Sequence, residues 1–572
     1  MLAKLLLICA TLTLKAVYST ETHKVRIEQG ELEGATLTSR NGRTFVAFQG
    51  IPYAEPPVGS LRFKDPVPPK PWRGIWNASL PGSMCLQYNK LTPFADDQDP
   101  IVGEEDCLFI NVYTPKVPKD KFTHVLDVIV FIHGGAFMYG WSHEYKPHLI
   151  LDRDAVFVTF NYRLGPLGFL STEDETVPGN MGLKDQAAAL RWIRKNIAAF
   201  GGNPQSVTIT GNSAGGASVH YHYISPQSRG LFERGYSQSG TTLCPWTQME
   251  QGRAKAKMLG EALGCNTKCS EQLVDCLRNR PARQIVQQVK NFQIWRYNPF
   301  SPFGPTVEVA GSNPFLSKTP VDAILQGDVQ DLPWITSVTT EDGLYPAADW
   351  IANENVMKVL EQRFAELFPH ILDYNYTVAE DKKLDVTNRI LQHYLQGKPL
   401  SIKARKEITR ITTDRLFVLE AVRAAKLQAA VNSAPVYFYQ FGYRGTHSVT
   451  EKFSGTTTNL GVCHVDDLVY VIDYAKGDHV ESQEDKNISQ LLLDIWTSYA
   501  HNGKPVPPNR SFIWEPTTPN DKELEYLYIG NPNKLEMRSS NNLGEQDFWD
   551  SLPINEPQIG KNTPLRKKHT EF

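Results

Sequence analysis

One sequence feature limits the possible folds of this chain more than any other. It is a short β-branched run that leads into a serine with glycines on both sides. The run Val207–Thr210 is predicted to be a buried strand, and the sequence Gly-Asn-Ser-Ala-Gly follows it directly at 211–215. Glycine on both sides of Ser213 indicates a tight turn with no room for neighbouring side chains. With a helix beginning at Ala214, the turn presents the Ser213 hydroxyl at the carboxyl end of a strand, beside a helix N-terminus.

Apolar strands alternate with helical patterns on both sides of this turn. Asp127–Ile132 and Ala155–Phe160 are strand candidates, and Leu183–Phe200 has the three-to-four spacing of a helix. Leu332–Val338 and Val436–Phe441 are further strand candidates. Short buried strands separated by helices predict an α/β fold with a large, mostly parallel central β-sheet flanked by helices.

A second glycine-rich turn and two later residues predict acyl-transfer chemistry. Gly134-Gly135 comes one residue after the strand Asp127–Ile132, so its N–H groups can turn toward a substrate carbonyl. A serine nucleophile also needs a basic histidine and an acid that orients it. His464 and Asp342 occur in the order serine, acid, histidine. The chain has 14 histidines and many acids, so spacing alone leaves this choice open.

Charge and cysteine spacing exclude several other classes of function. The 59 Lys+Arg residues against 62 Asp+Glu give a net charge of -3, which provides no basic excess for nucleic-acid binding. Cys265 and Cys269 are the one close cysteine pair of the mature chain that could suggest a metal, and no histidines lie at zinc-ligand spacing. We therefore expect no nucleic-acid partner, no metal and no cofactor.

Patterns at the two ends of the chain bear on where the protein is delivered. Residues 1–20 have the basic start and short apolar core of a signal peptide, and no segment is long enough to span a membrane. We expect one domain over 21–555, a polar tail over 556–572 and secretion. The final His569–Phe572 resembles a luminal retention signal, so the endoplasmic reticulum is the alternative. The glycosylation sequons of a secreted chain lie at Asn77, Asn375, Asn487 and Asn509.

Several motifs in a fixed order resemble the type-B carboxylesterase/cholinesterase family, from Val25 to about Trp549. The overall character is similar to insect secreted esterases of the antennal and haemolymph type. The resemblance implies an α/β-hydrolase fold and a serine esterase. Besides the serine turn, the motifs that carry it are Phe48–Ala54, Glu105–Thr114, His133–Ala136, Asn161–Gly165 and Gly182–Gln186.

The resemblance also implies a role for each site residue. The catalytic triad falls on Ser213, Asp342 and His464, with Glu341 as the alternative acid because the family usually has Glu before the glycine. The remaining implied residues are the oxyanion donors Gly135, Ala136 and Ala214, the serine Ser239 that hydrogen-bonds the acid, and the disulfides Cys85–Cys107 and Cys265–Cys276. Cys269 could compete for the second disulfide. Cys244 and Cys463 are then free thiols, either buried or, for Cys463, beside the site.

Two departures from cholinesterases bear on the substrate. Asn212 replaces the glutamate that precedes the nucleophile, and residues 86–106 contain no tryptophan to hold a choline cation. A neutral, largely apolar ester is therefore the expected small-molecule partner. The natural ester remains open among pheromones, hormones, dietary esters and xenobiotics, as does the oligomeric state. The alternative from another class is a non-catalytic adhesion or binding protein on the same fold.

Overall fold

A sheet of thirteen strands forms the centre of the computed structural model, which describes residues 22–89, 100–118, 125–474, 477–519 and 523–556. A separate pair, β5 (Gln87–Tyr88) and β6 (Ile101–Val102), lies outside this sheet. The thirteen strands are β1 (Thr22–Ile27), β2 (Gly30–Thr38), β3 (Thr44–Pro52), β4 (Ile75–Asn77), β7 (Phe109–Thr114), β8 (Leu126–Ile132), β9 (Val156–Phe160), β10 (Gly202–Asn212), β11 (Arg234–Gln238), β12 (Trp334–Thr339), β13 (Val436–Phe441), β14 (Leu524–Asn531) and β15 (Lys534–Ser540).

The sheet is parallel in its centre and antiparallel at both edges. Its order is β1-β2-β3-β7-β9-β8-β10-β11-β12-β13-β14-β15, with β4 paired to β2. All neighbours from β9 to β14 are parallel, so these strands place their carboxyl ends at the same edge of the sheet. The loops that follow β8, β10 and β12 therefore meet there, as ligand-binding loops do in open α/β sheets.

Helices cover the sheet and are interrupted near its carboxyl edge. A π-helical turn, Asp414–Val418, joins α11 (Arg405–Thr413) to α12 (Leu419–Val431), and such turns recur at functional sites. The helices are α1 (Gly165–Phe169), α2 (Met181–Asn196), α3 (Ala214–Ile224), α4 (Gly252–Ala262), α5 (Ser270–Arg278), α6 (Ala282–Gln287), α7 (Pro320–Leu325), α8 (Leu344–Ile351), α9 (Glu354–Ile371), α10 (Lys383–Leu395), α11 (Arg405–Thr413), α12 (Leu419–Val431), α13 (Thr450–Ser454), α14 (Gln483–Asn502) and α15 (Gln546–Asp550).

The predicted α/β fold is confirmed, with differences at the ends of elements. β13 has the predicted bounds, whereas β10 begins at Gly202, because an irregular pairing with β8 extends it before Val207. The predicted helix Leu183–Phe200 begins two residues earlier, and its last turn, Ile197–Phe200, tightens into a 3-10 helix. Gly201 then adopts a positive φ of 86°, the usual helix-ending conformation.

The expected signal peptide 1–20 and residues 557–572 of the expected tail lie outside the described residues. The domain bounds at 21 and 555 therefore remain predictions. Among the helices that the structure describes, none is both long and apolar enough to cross a membrane.

Candidate active site

Ser213 lies in a strained turn between β10 and α3. Its backbone has φ 61° and ψ -126°, a conformation that non-glycine residues rarely adopt. A Cβ atom on Gly215 would lie 2.0 Å from the Ile132 carbonyl oxygen, and one on Gly211 would lie 2.4 Å from the Gly215 carbonyl carbon. Both flanking glycines are thus required by close backbone packing. The serine side chain is held at the carboxyl edge of the sheet, where only 9% of Ser213 is exposed.

Hydrogen bonds on both sides of the turn offset this backbone strain. The Ser213 amide donates to the Gln238 carbonyl of the neighbouring strand over 2.8 Å. The Ser213 carbonyl accepts from the Ala217 amide, one turn into α3, over 2.9 Å. The serine is therefore fixed to β11 and to its own helix before any substrate binds.

The segment 133–140 after β8, here called the oxyanion loop, turns its backbone beside Ser213. Gly135, Ala136 and Phe137 have φ values of 112°, 54° and 60°. The Ser301 hydroxyl donates to the Ala136 carbonyl over 2.8 Å, which fixes the loop from outside. Within the described part of the chain, the N–H groups of Gly135, Ala136 and Ala214 donate to no protein acceptor. These three donors are available to an anionic oxygen.

His133 at the start of the oxyanion loop is a neutral structural residue. Its ring stacks on Tyr162 with the centroids 4.3 Å apart, and its Nδ1 lies 2.9 Å from the Gly134 carbonyl oxygen. Burial lowers the pKa of His133 to about 4. The imidazole therefore supports the loop without adding a positive charge at neutral pH.

Asp342 and His464 form a buried pair that joins the loop after β12 to the turn that carries the histidine. The Asp342 Oδ1 atom lies 2.7 Å from His464 Nδ1. The other carboxylate oxygen accepts hydrogen bonds from the Ser239 hydroxyl and from the Thr339 amide, each over 2.9 Å. Asp342 is completely buried and His464 is 3% exposed. The carboxylate is thus satisfied on both oxygens and fixes the orientation of the imidazole ring.

Glu341, the alternative acid, is turned away from the histidine. Its carboxylate accepts from the Val462 amide over 2.8 Å and from the Thr340 hydroxyl over 2.7 Å. The Asp342 side chain reaches His464 instead, and the Thr339 amide at the end of β12 and the Ser239 hydroxyl hold its carboxylate.

The imidazole of His464 is packed between two aromatic rings. The Tyr345 ring lies 5.5 Å from it at an interplanar angle of 21°, and the Phe417 ring lies 4.7 Å from it. Phe417 belongs to the π-helical turn between α11 and α12. The Nε2 atom of His464 is buried and has no hydrogen-bond partner among the described residues. It is the ring nitrogen that remains available for proton transfer.

A second buried carboxylate, which sequence reasoning missed, links the strands beneath the site. The Asp467 Oδ2 atom accepts from the Tyr439 hydroxyl over 2.6 Å and from the Gln238 Nε2 over 2.9 Å. Burial raises the pKa of this carboxyl. In the sequence, only its position three residues after His464 could have suggested that Asp467 lies near the site. Nothing in the sequence shows that the side chains of Tyr439 and Gln238 point toward it.

The cysteines form the two disulfides that the resemblance implies. Cys85 is joined to Cys107 and Cys265 to Cys276. Cys269 is a free, exposed thiol and does not displace either partner. The two remaining free cysteines, Cys244 and Cys463, are fully buried, and burial raises the pKa of both thiols. They are packing residues and not reactive groups at the site.

The four predicted glycosylation sites differ in exposure. Asn77, Asn487 and Asn509 are exposed, whereas Asn375 is half-buried and accepts from Lys383 Nζ over 2.9 Å. Attachment of glycans remains a prediction. In the described ranges, no group of three His, Cys, Asp or Glu side chains is arranged to hold a metal ion.

Comparison with known proteins agrees with this geometry. The carboxylesterase family profile matches residues 21–549. Venom carboxylesterase-6 of Apis mellifera is 44% identical over 94% of this chain and 95% of its own length. Esterase FE4 of Myzus persicae is 42% identical over 93% of both chains. The crystal structure of juvenile hormone esterase from Manduca sexta, with OTFP covalently attached, matches with a TM-score of 0.81 at 27% identity, over 93% of this chain and 99% of that one.

A parallel-centred sheet with a strained serine turn and a buried acid–histidine pair defines a serine hydrolase of the α/β-hydrolase fold. The chain belongs to the carboxylesterase family. It is a carboxylic ester hydrolase, and the alternative of a non-catalytic adhesion protein is not supported.

Proposed function

We propose that the chain hydrolyses carboxylic esters by two-step acyl transfer on Ser213. His464 Nε2 takes the Ser213 proton while Oγ attacks the ester carbonyl carbon. The N–H groups of Gly135, Ala136 and Ala214 hold the carbonyl oxygen as it becomes an oxyanion. The protonated imidazole then gives its proton to the departing alcohol oxygen, which leaves an acyl-serine.

Water completes the cycle by the same groups in reverse. His464 removes a proton from water as the water oxygen attacks the acyl carbon. The carboxylic acid departs when the proton returns to Ser213 Oγ. Asp342 stabilises the imidazolium in both steps. The 2.7 Å contact between Asp342 Oδ1 and His464 Nδ1 is the observation that carries this assignment.

The test is hydrolysis of a short-chain nitrophenyl ester by the wild type and by Ser213→Ala. We expect the variant to lose at least about 10³-fold in kcat. Intact-mass measurement after treatment with an organophosphate should show one phosphoryl adduct on the wild type and none on Ser213→Ala. Equal rates for the two proteins, or an adduct that persists on the variant, would refute the assignment.

The substrate we propose is a neutral, largely apolar ester. Asn212, immediately before the nucleophile, is 3% exposed and carries no charge that could attract a cation. Its amide nitrogen is buried without a partner in the described chain. We expect a lower kcat/KM for a choline ester than for an uncharged ester with the same acyl group. Asn212→Glu should narrow that ratio, and an unchanged ratio would contradict this role of residue 212.

We also infer that the protein is exported. The apolar start of the chain carries this inference, and a relative named as a venom carboxylesterase agrees with it. Expression with an internal tag, followed by assay of the medium and the cell fraction, separates export from retention through His569–Phe572. Enrichment in the cell fraction that is lost when these four residues are deleted would favour retention.

A further inference from the structure

The turn that carries His464 contains a strained residue directly after the histidine. Val465 has a φ of 80°, in a region that β-branched side chains rarely enter. The Asp466 amide donates to the Cys463 carbonyl over 3.0 Å, which closes a four-residue turn with His464 at its second position. Positive φ at the third position alone is the type II pattern, which ordinarily requires glycine. The backbone of the turn therefore needs a further restraint that keeps Val465 at positive φ.

The carboxylate of Asp466 supplies that restraint. Its Oδ2 atom accepts from the Cys463 amide and from the Ser448 hydroxyl, each over 2.7 Å. Its Oδ1 atom accepts from the Val449 amide over 2.8 Å. Asp466 itself is 3% exposed. One buried carboxylate thus binds the first residue of the histidine turn to the segment that precedes α13.

We propose that Asp466 is a positioning residue that holds His464 in register with Asp342 and Ser213. The inference rests on the proposed role of His464 as the general base. If the restraint is lost, Val465 can relax toward negative φ, and the imidazole leaves the position in which Nδ1 lies 2.7 Å from Asp342. A displacement of about 1 Å in a catalytic group can lower the rate about 100-fold.

The decisive experiment removes the negative charge of Asp466 and, in a second variant, also removes the backbone strain at Val465. Asp466→Asn weakens the acceptor for three donors, while Val465→Gly allows positive φ without support. We expect Asp466→Asn to lower kcat at least about tenfold with KM within about twofold, because Ser213 and the three oxyanion donors are unchanged. We expect the double variant Val465→Gly/Asp466→Asn to recover most of that loss. A carboxylate that only stabilises the fold would lower Tm without this selective recovery of kcat.

Matched controls separate positioning from folding. Glu308 is another buried carboxylate that holds a loop, since its Oε1 accepts from the Phe315 amide over 2.8 Å. Glu308→Gln should leave kcat unchanged whatever its effect on Tm. Because burial raises the pKa of Asp466 to about 7, assays are run about two pH units higher, where the carboxylate is ionised.

The outcomes distinguish this inference from the proposed function. If Ser213→Ala is inactive while Asp466→Asn retains the wild-type kcat, Asp466 has no positioning role although the serine mechanism stands. A double variant no faster than Asp466→Asn overturns the role of the turn. If Asp466→Asn does not fold, Ser448→Ala removes a single donor, and we then expect a fall of about threefold in kcat that Val465→Gly restores. A wild-type rate in Ser448→Ala would be the contrary result.

Discussion

Asp342 and His464 stand 122 positions apart in the chain, yet Asp342 Oδ1 lies 2.7 Å from His464 Nδ1. The contact depends on β12 and on the turn that holds His464, which meet at the carboxyl edge of the sheet. Because a second hydrogen bond from Ser239 fixes the other carboxylate oxygen, the acid has one orientation. The pair therefore presents a single ring nitrogen of the histidine for chemistry.

Replacement of Asp342 should leave the His464 ring without the contact that orients it. Asp342→Asn is expected to lower kcat by about 10³- to 10⁴-fold, because an amide can hold the wrong histidine tautomer. Glu341→Gln is the matched control, since the Glu341 carboxylate accepts from the Val462 amide and makes no contact with His464. Steady-state kinetics with one neutral ester measure both. A greater loss in Glu341→Gln than in Asp342→Asn would reverse the assignment of the acid.

The close packing behind the serine predicts a large effect of one methyl group. Gly215→Ala places Cβ 2.0 Å from the Ile132 carbonyl oxygen, so the serine turn and β8 must separate. We expect a loss of about 3 kcal/mol in stability together with reduced kcat. Gly304→Ala is the control, because its nearest new contact would be an ordinary 3.5 Å. Thermal unfolding and esterase rates of the two variants test this, and equal Tm values would contradict the packing argument.

The disulfide between Cys85 and Cys107 should contribute more to stability than the free thiol at Cys269. The bridge closes a loop with a sequence separation of 22. The double change Cys85→Ser/Cys107→Ser is expected to cost about 3 kcal/mol, largely through greater freedom of the unfolded chain. Cys269→Ser removes an exposed thiol and should leave Tm unchanged. Denaturant unfolding compares the double variant with Cys269→Ser. Similar midpoints would contradict the prediction and would show that the loop between Cys85 and Cys107 is constrained without the disulfide.

Buried Asp414 should make stability depend on pH. Burial raises the pKa of its carboxyl to about 7, against a lesser opposing effect of the Tyr394 hydroxyl and of Arg410. A carboxyl with a raised folded-state pKa stabilises fully below its unfolded pKa of about 3.9, and this stability is lost as the pH rises through about 7. The free energy of unfolding of Asp414→Asn should therefore rise relative to wild type by a few kcal/mol across this interval. A pH-independent difference would contradict the shifted pKa.

Local patterns predicted the parts of the site that depend on local geometry. The glycines around Ser213 and after Ile132 indicated tight turns, and both turns occur where close backbone contacts require them. Asp342 could not be separated from Glu341 in the same way. Adjacent residues differ mainly in the direction of their side chains, and that direction is set here by distant partners, Ser239 and His464 for Asp342 and Val462 for Glu341.

The role of Asp466 was not readable from the sequence for a related reason. Its donors come partly from Ser448 and Val449, which are 18 and 17 positions away. No periodicity links the two segments, and a pair of acids after a histidine is more often solvated. The antiparallel edges of the sheet were missed because half-exposed strands such as β15 lack the continuous apolar run of central strands.

The long separation between the acid and the histidine has a consequence for synthesis of the chain on the ribosome. His464 is added 122 residues after Asp342, which takes roughly 10 s at cellular elongation rates. Throughout that interval the nascent chain has its nucleophile but lacks a base. We therefore expect translation products that end before His464 to have no ester-hydrolysing activity.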